Sequence, residues 1–79
     1  MRAPESMFSM LANRYIYGKF AFILEDMQLD SKTELYMLTF SRPDENKRII
    51  GISKDVVLDE AATGELSEST KAALDTAVE

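Results

Sequence analysis

The serines and the lysine near the C-terminus come closest to a nucleophile paired with its base. The chain contains no His and no Cys, so nucleophilic hydrolysis would need a Ser–Lys pair or carboxylates. Ser67 or Ser69 with Lys71 offers such a pair. Both serines precede an apolar segment, where a serine side chain caps a helix. We therefore predict helix capping instead of catalysis, and we expect that the chain is not an enzyme.

Four carboxylates cluster around the first predicted strand connection. Paired carboxylates could bind a hard cation or act as acid and base. An EF-hand loop needs alternating oxygen ligands and a central Gly, and this segment has no Gly. We interpret the cluster as solvated turn charges and predict no metal site. The four residues are Glu25, Asp26, Asp30 and Glu34.

Cofactor binding has no support in the residue pattern. Without His and Cys, zinc fingers, iron–sulfur clusters and disulfides are excluded. The three glycines, Gly18, Gly51 and Gly64, are too scattered for a dinucleotide fingerprint or a phosphate loop. We expect no cofactor, and we interpret Gly51 as a strand bulge or a close approach of the first helix to the sheet.

A predicted hairpin concentrates four of the nine basic residues. With Tyr36 and Phe40 they could form an aromatic and basic platform for nucleic acid. Asp44 and Glu45 lie in the same turn, however, and both aromatic residues belong to an apolar strand face. Solvated hairpin charges are the favoured interpretation. The four basic residues are Arg42, Lys47, Arg48 and Lys54.

The first 24 residues predict a helix and then a strand. Apolar residues spaced by three and four after Pro4 predict a helix over about 5–16, although continuation to Leu24 is an alternative. From Lys19 apolar side chains alternate on both faces, which predicts a first strand in the centre of a sheet. Residues 28–32 are predicted to turn.

Two further strands follow in meander order. Residues 35–41 place Tyr36, Leu38 and Phe40 on one face, and residues 48–53 place Ile50 and Ile52 on one face with Ile49 opposite. The segment 42–47 combines Pro, Asp and Asn, which predicts the hairpin that joins them.

The C-terminal third is predicted to be helical and is acidic. Residues 53–58 could end a strand or begin a helix that stops at Gly64, and we favour the helix. Residues 67–79 predict a short terminal helix, and whether the chain after Gly64 is ordered stays open. Residues 55–79 carry seven acidic side chains and one basic side chain, of a net charge of −5 for the whole chain.

The fold class predicted is α+β: an N-terminal helix, a three-stranded antiparallel meander, and one or two C-terminal helices (α-β-β-β-α). Its 79 residues form a single domain, divided into a helix (1–17), a sheet (18–53) and an acidic helical segment (54–79). Chains this short often need a disulfide, a metal or a partner subunit. Of these three, the composition leaves a partner subunit, which a second copy of the chain could supply. A homodimer and a monomer both remain open.

These patterns favour a small non-enzymatic protein-protein interaction module that associates with itself or with a partner through an apolar sheet face or a strand edge. The alternative is an acidic regulator of a nucleic-acid-associated process, acting through the basic hairpin or occupying a basic site on a partner. No signal peptide or membrane span is indicated, so we expect a cytoplasmic protein. The residues predicted to bind a partner are Phe20, Phe22, Tyr36, Phe40, Ile50 and Ile52.

Overall fold

A three-stranded antiparallel sheet is covered on one face by a long N-terminal helix and two shorter C-terminal helices. This computed structural model describes residues 3–79. It confirms the predicted α+β class, and of the one or two C-terminal helices expected it contains two. In chain order the elements are α1 (Pro4–Phe20), β1 (Ile23–Asp30), β2 (Leu35–Ser41), β3 (Arg48–Ser53), α2 (Lys54–Thr63) and α3 (Glu68–Val78).

Helix α1 runs one turn beyond the predicted end at residue 16. Its buried face carries Phe8, Ala12 and Ile16, which recur every four residues along the helix. Gly18 lies inside the helix, where a glycine costs about 1 kcal/mol relative to Ala, and Phe20 beyond it packs against the core. The helix stops at Ala21, which adopts a left-handed conformation with φ of 60° and donates its N–H to the Tyr17 carbonyl at 3.0 Å.

Strand β1 begins later and lies elsewhere in the sheet than predicted. The strand predicted from Lys19 is wrong, because Lys19 and Phe20 complete α1 and β1 spans Ile23–Asp30. The predicted central position is also wrong, since β2 is central and β1 is an edge. A tight turn at residues 31–34 joins the two strands, and Glu34 donates its N–H to the Asp30 carbonyl at 2.8 Å.

Strands β2 and β3 match the prediction in their bounds, their order and their faces. Tyr36 pairs with Ile52 and Leu38 pairs with Ile50 in the antiparallel register, and directly paired residues project from the same face of a sheet. The hairpin of residues 42–47 is confirmed as well. Its turn places Asp44 at φ of 65°, a conformation that Asp tolerates better than most residues.

Gly51 gives room to side chains of the neighbouring strand. The predicted bulge at Gly51 is wrong, because the bulge lies in β1 between Leu24 and Asp26. A close approach of the first helix is wrong too: a Cβ atom on Gly51 would lie 2.9 Å from Leu35 Cδ1 and 3.3 Å from Met37 Sδ. Both side chains belong to β2, on the face opposite Tyr36, Leu38 and Phe40.

The two C-terminal helices begin at serine caps, as predicted. The Ser53 side chain accepts the Asp55 N–H at 3.2 Å, and the Ser67 side chain accepts the Thr70 N–H at 3.2 Å. Helix α2 ends at Gly64, whose φ of 78° is typical of a glycine that terminates a helix. These local signals therefore determine both helix starts and the end of α2.

One hydrophobic core joins all three helices to a single face of the sheet. Every helix contributes a buried side chain to this core, and the sheet contributes the face that carries Leu38. Within residues 3–79 no helix packs on the other face. The buried core residues are Phe8, Ala12, Ile16, Phe22, Tyr36, Leu38, Phe40, Ile52, Val57, Leu74 and Val78.

Two alanine substitutions test this one-sided core. Phe40 is fully buried in the central strand, so we expect Phe40→Ala to lower the free energy of unfolding by about 3–5 kcal/mol. Ile49 is 63% exposed on the opposite face, and Ile49→Ala should change it by about 0.5 kcal/mol or less. Urea unfolding followed by circular dichroism measures both, and equal losses would contradict the one-sided arrangement.

Candidate functional site

Ser67, one of the two serines considered as nucleophiles, caps α3 and connects it to α2. The Glu60 carboxylate accepts the Ser67 N–H at 3.1 Å and the Ser67 hydroxyl at 2.8 Å, and it also accepts the Thr70 hydroxyl at 2.8 Å. Lys71 lies 3.7 Å from the Glu68 carboxylate, and its Nζ is 5.8 Å from the centre of the Tyr15 ring. Ser67 is therefore used in the turn between α2 and α3.

The four clustered carboxylates have separate partners. Glu25 forms an ion pair with Lys47 at 2.7 Å, and Glu34 forms one with Lys54 at 2.8 Å. Asp30 accepts the N–H of Lys32 within its turn, and Asp26 accepts the Gln28 side-chain amide at 3.3 Å. In the part of the chain that the structure describes, no group of three or more acidic side chains is placed to hold a metal ion.

The basic residues of the hairpin lie beside carboxylates. Arg42 and Arg48 both approach Glu45, at 3.1 and 3.9 Å. A hydrogen bond from Lys47 holds the pKa of the Glu25 carboxyl below its usual range, and the same contact raises the pKa of Lys47. Pairing neutralises much of the positive charge that a nucleic-acid backbone would need. Contact with nucleic acid through this hairpin stays an untested alternative to the favoured interpretation of solvated charges.

The guanidinium groups of Arg42 and Arg48 also stack on one aromatic ring. Their central carbons lie 4.5 and 5.2 Å from the centre of the Phe22 ring, within the range of cation–π attraction. Arg42 further donates to the Phe20 carbonyl at 2.6 Å. These contacts fasten the hairpin to the end of α1, so the arginines have a structural use.

The six residues predicted to bind a partner lie in or against the core. Four are buried and two, Phe20 and Ile50, are half-buried and pack against the same core. The Tyr36 hydroxyl donates to the Glu5 carboxylate at 3.0 Å, and burial raises the pKa of Tyr36. The helices of the chain itself cover these side chains. The buried four are Phe22, Tyr36, Phe40 and Ile52.

The opposite face of the sheet presents apolar side chains without a helix above them. Ile49 is 63% exposed and Ile23 is 49% exposed, although both are large aliphatic residues. Half-buried Leu35 and Met37 of the central strand lie on the same face, nearer the other end of the sheet. We call this surface the outer face. The sequence pattern of β2 could have revealed the outer face. Successive side chains of a strand point to opposite faces, so the residues that alternate with Tyr36 and Leu38 must project from the other face.

The two edges of the sheet differ in their ability to accept another strand. The edge of β1 is interrupted by the bulge between Leu24 and Asp26, and it carries acidic residues, two features by which proteins block edge pairing. Strand β3 pairs with β2 in unbroken register from Arg48 to Ser53 and contains no proline. The β3 edge adjoins the outer face at Ile49.

A three-residue polar cluster links α1 to α3 on the helical side of the sheet. Asp75 accepts the Tyr15 hydroxyl at 2.8 Å and forms an ion pair with Lys19 at 2.7 Å. The hydrogen bond from Lys19 lowers the pKa of Asp75, and the hydrogen bond to Asp75 raises the pKa of Lys19. Lys19 is half exposed, so the cluster fixes the helices without forming a closed site.

No helix among residues 3–79 has both the length and the apolar character that crossing a bilayer demands. Comparisons of this chain with protein-family models, with curated proteins and with solved structures found no match.

The pKa directions in the Tyr15–Lys19–Asp75 cluster predict an acid-sensitive contact. Because the pKa of Asp75 is lower in the folded chain than its ordinary value of 3.8, its stabilising effect is present above that value and is lost as pH falls through the folded pKa. We expect Asp75→Asn to be less stable than the wild type near neutral pH, with the difference shrinking under acid conditions. Thermal unfolding across pH measures this, with Asp59→Asn as an exposed control, and a constant difference would contradict it.

Proposed function

We propose that this chain is a non-enzymatic protein-protein interaction module that binds through the outer face and the adjoining β3 edge. The observation that carries the proposal is the one-sided core, in which all three helices cover the same face of the sheet. The other face is left with exposed Ile23 and Ile49. An apolar sheet face beside a free strand edge is a surface that another protein can cover.

The energetics of the outer face favour its burial. Covering a large aliphatic side chain fully contributes about 1.5–3 kcal/mol relative to leaving it exposed, and Ile49 and Ile23 are at least about half exposed. Met37 and Ile49 lie at the apolar centre of the outer face, and Asp26 and Gln28 of β1 border it. An apolar centre with a polar rim is the usual anatomy of a protein interface.

The use of the chemically capable side chains supports binding over catalysis. Ser67 caps α3, Lys47 and Lys54 pair with glutamates, and Tyr36 donates to Glu5. Each of these contacts fixes an element of the fold. An active site would instead need reactive groups that converge on a pocket. The four side chains named here point to separate partners.

Photo-crosslinking tests the proposed surface. A photo-reactive phenylalanine analogue placed at position 49, on the outer face beside the β3 edge, should yield a crosslinked product with a protein in cells that produce the chain. The matched control carries the analogue at position 58 instead, because Leu58 is an apolar residue of α2 that is 40% exposed. The position 58 variant should give no comparable product.

Competition determines whether the product reflects a specific surface. Excess wild-type chain should reduce the yield from position 49, and excess chain with Ile49→Lys should reduce it far less. Equal yields from positions 49 and 58, or no product from position 49, would reject the outer face as the binding surface.

A second candidate function is supported by the charge of α2 and α3. Both helices and the turn between them are acidic, and Asp59, Glu65 and Glu68 are exposed on this segment. Such a surface could occupy a basic site on a nucleic-acid-binding partner. That binding should weaken as salt rises and should fall when these three residues are replaced by Asn or Gln. Glu60 is left unchanged because it holds Ser67 and Thr70.

A further inference from the structure

We propose that the partner of the β3 edge is a second copy of this chain. The two β3 strands would pair antiparallel about a two-fold axis through Ile50, which joins two three-stranded sheets into one sheet of six strands. This inference rests on the proposed function and adds to it the identity of the partner and the register of the contact. Three features of β3 support it: which of its backbone groups face the free edge, the pattern of its side chains, and its charge.

Strand β3 is the edge of this sheet that is suited to pairing. Six consecutive residues pair with β2 without a bulge, so the free side presents a regular row of backbone donors and acceptors. The four residues from Ile49 to Ile52 are uncharged and apolar or glycine. Edges that proteins protect carry charges, prolines or bulges, and this strand has none of these between Ile49 and Ser53.

The hydrogen bond next to β3 defines which of its backbone groups face the free edge. Lys54 donates its N–H to the Glu34 carbonyl at 3.0 Å, directly beyond the paired residues Leu35 and Ser53. In an antiparallel ladder, residues alternate between bonding the neighbour strand and facing away from it. Residues 50 and 52 therefore bond β2, whereas Ile49, Gly51 and Ser53 turn their N–H and C=O groups outward.

The alternation of outward-facing and inward-facing residues restricts how two β3 strands can pair. Residues that lie directly opposite must both face the junction or both face away from it, so the two-fold axis passes through a residue and not between two residues. Axes through Ile50 or Gly51 pair the most residues of the strand. An axis through Gly51 would place Arg48 opposite Lys54 of the second copy, and like charges in that position are destabilising.

An axis through Ile50 avoids that repulsion and covers the most exposed isoleucine. Arg48 then lies opposite Ile52 of the second copy, and Ile49 lies opposite Gly51. Gly51 has no side chain, and Leu35 Cδ1 comes within 2.9 Å of the position that a Cβ atom would take. Ile49 of one copy would thus rest on Gly51 and the tip of Leu35 of the other. The contact is self-complementary, since it occurs twice about the axis.

The molar mass in solution tests the inference directly. Light scattering of the wild-type chain should give twice the 8.9 kDa mass of one chain. Each copy carries a net charge of −5, so screening by salt should strengthen the dimer instead of weakening it. Ile49→Lys places a charge opposite Gly51 and should weaken dimerisation about tenfold or more. Ile23→Lys, an exposed outer-face residue on the bulged edge, is the matched control and should leave the dimer intact.

A designed disulfide tests the register independently of stability. The chain has no cysteine of its own, so a single introduced thiol can react only with its counterpart. Across an axis at Ile50 the two Cα atoms at this position are about 4.5 Å apart, within the range that a disulfide spans. Ile50→Cys should therefore form a crosslinked dimer on mild oxidation. Thr39→Cys, on the outer face of the central strand, should not.

The outcomes separate this inference from the proposed function. A monomeric wild-type chain at all concentrations, or a dimer in which Ile50→Cys does not crosslink, overturns the second-copy inference. A dimer lost equally in Ile49→Lys and Ile23→Lys, with crosslinking of Thr39→Cys, indicates face-to-face stacking and also overturns it. In each of these cases the proposed function is decided separately, by whether the photo-reactive group at position 49 captures another protein.

Discussion

Burial of one face of the sheet by all three helices is the interaction on which the rest of this structure depends. A chain of 79 residues has enough apolar surface for a single core, and here that core lies between Leu38 and Phe40 of the central strand and the helices. Helices committed to one face leave the other face uncovered. The candidate binding surface is therefore a direct consequence of how a short chain satisfies its hydrophobic core.

Polar contacts complete the helical layer. Glu60 holds the turn between α2 and α3 through Ser67 and Thr70, and Asp75 joins α3 to α1 through Tyr15 and Lys19. In each case a carboxylate with two or more donors fixes the relative position of helices. These two carboxylates therefore stabilise the helical layer at the rim of the core.

The two edges of the sheet differ for a physical reason that bears on association. In β1 a bulge and acidic side chains interrupt the row of backbone groups, so the strand is a poor template for another chain. In β3 the ladder is regular and its middle is uncharged. Association through β3 would also extend the outer face, because Ile49 belongs to both surfaces. Edge and face are thus continuous at Ile49.

The sequence predicts the elements whose signals are local: the alternation of Tyr36, Leu38 and Phe40, the hairpin turn and the serine cap of the last helix. For residues 53–58 it favours a helix ending at Gly64 over a strand end, and the structure decides for the helix. The sequence could not determine the end of α1 or the start of β1, because Gly18 and the alternating apolar residues after it satisfy two patterns and tertiary packing selects one. Nor could it decide which residues stay exposed. Periodicity assigns side chains to a face of the sheet, but only the packing of all three helices on one side decides which face is covered.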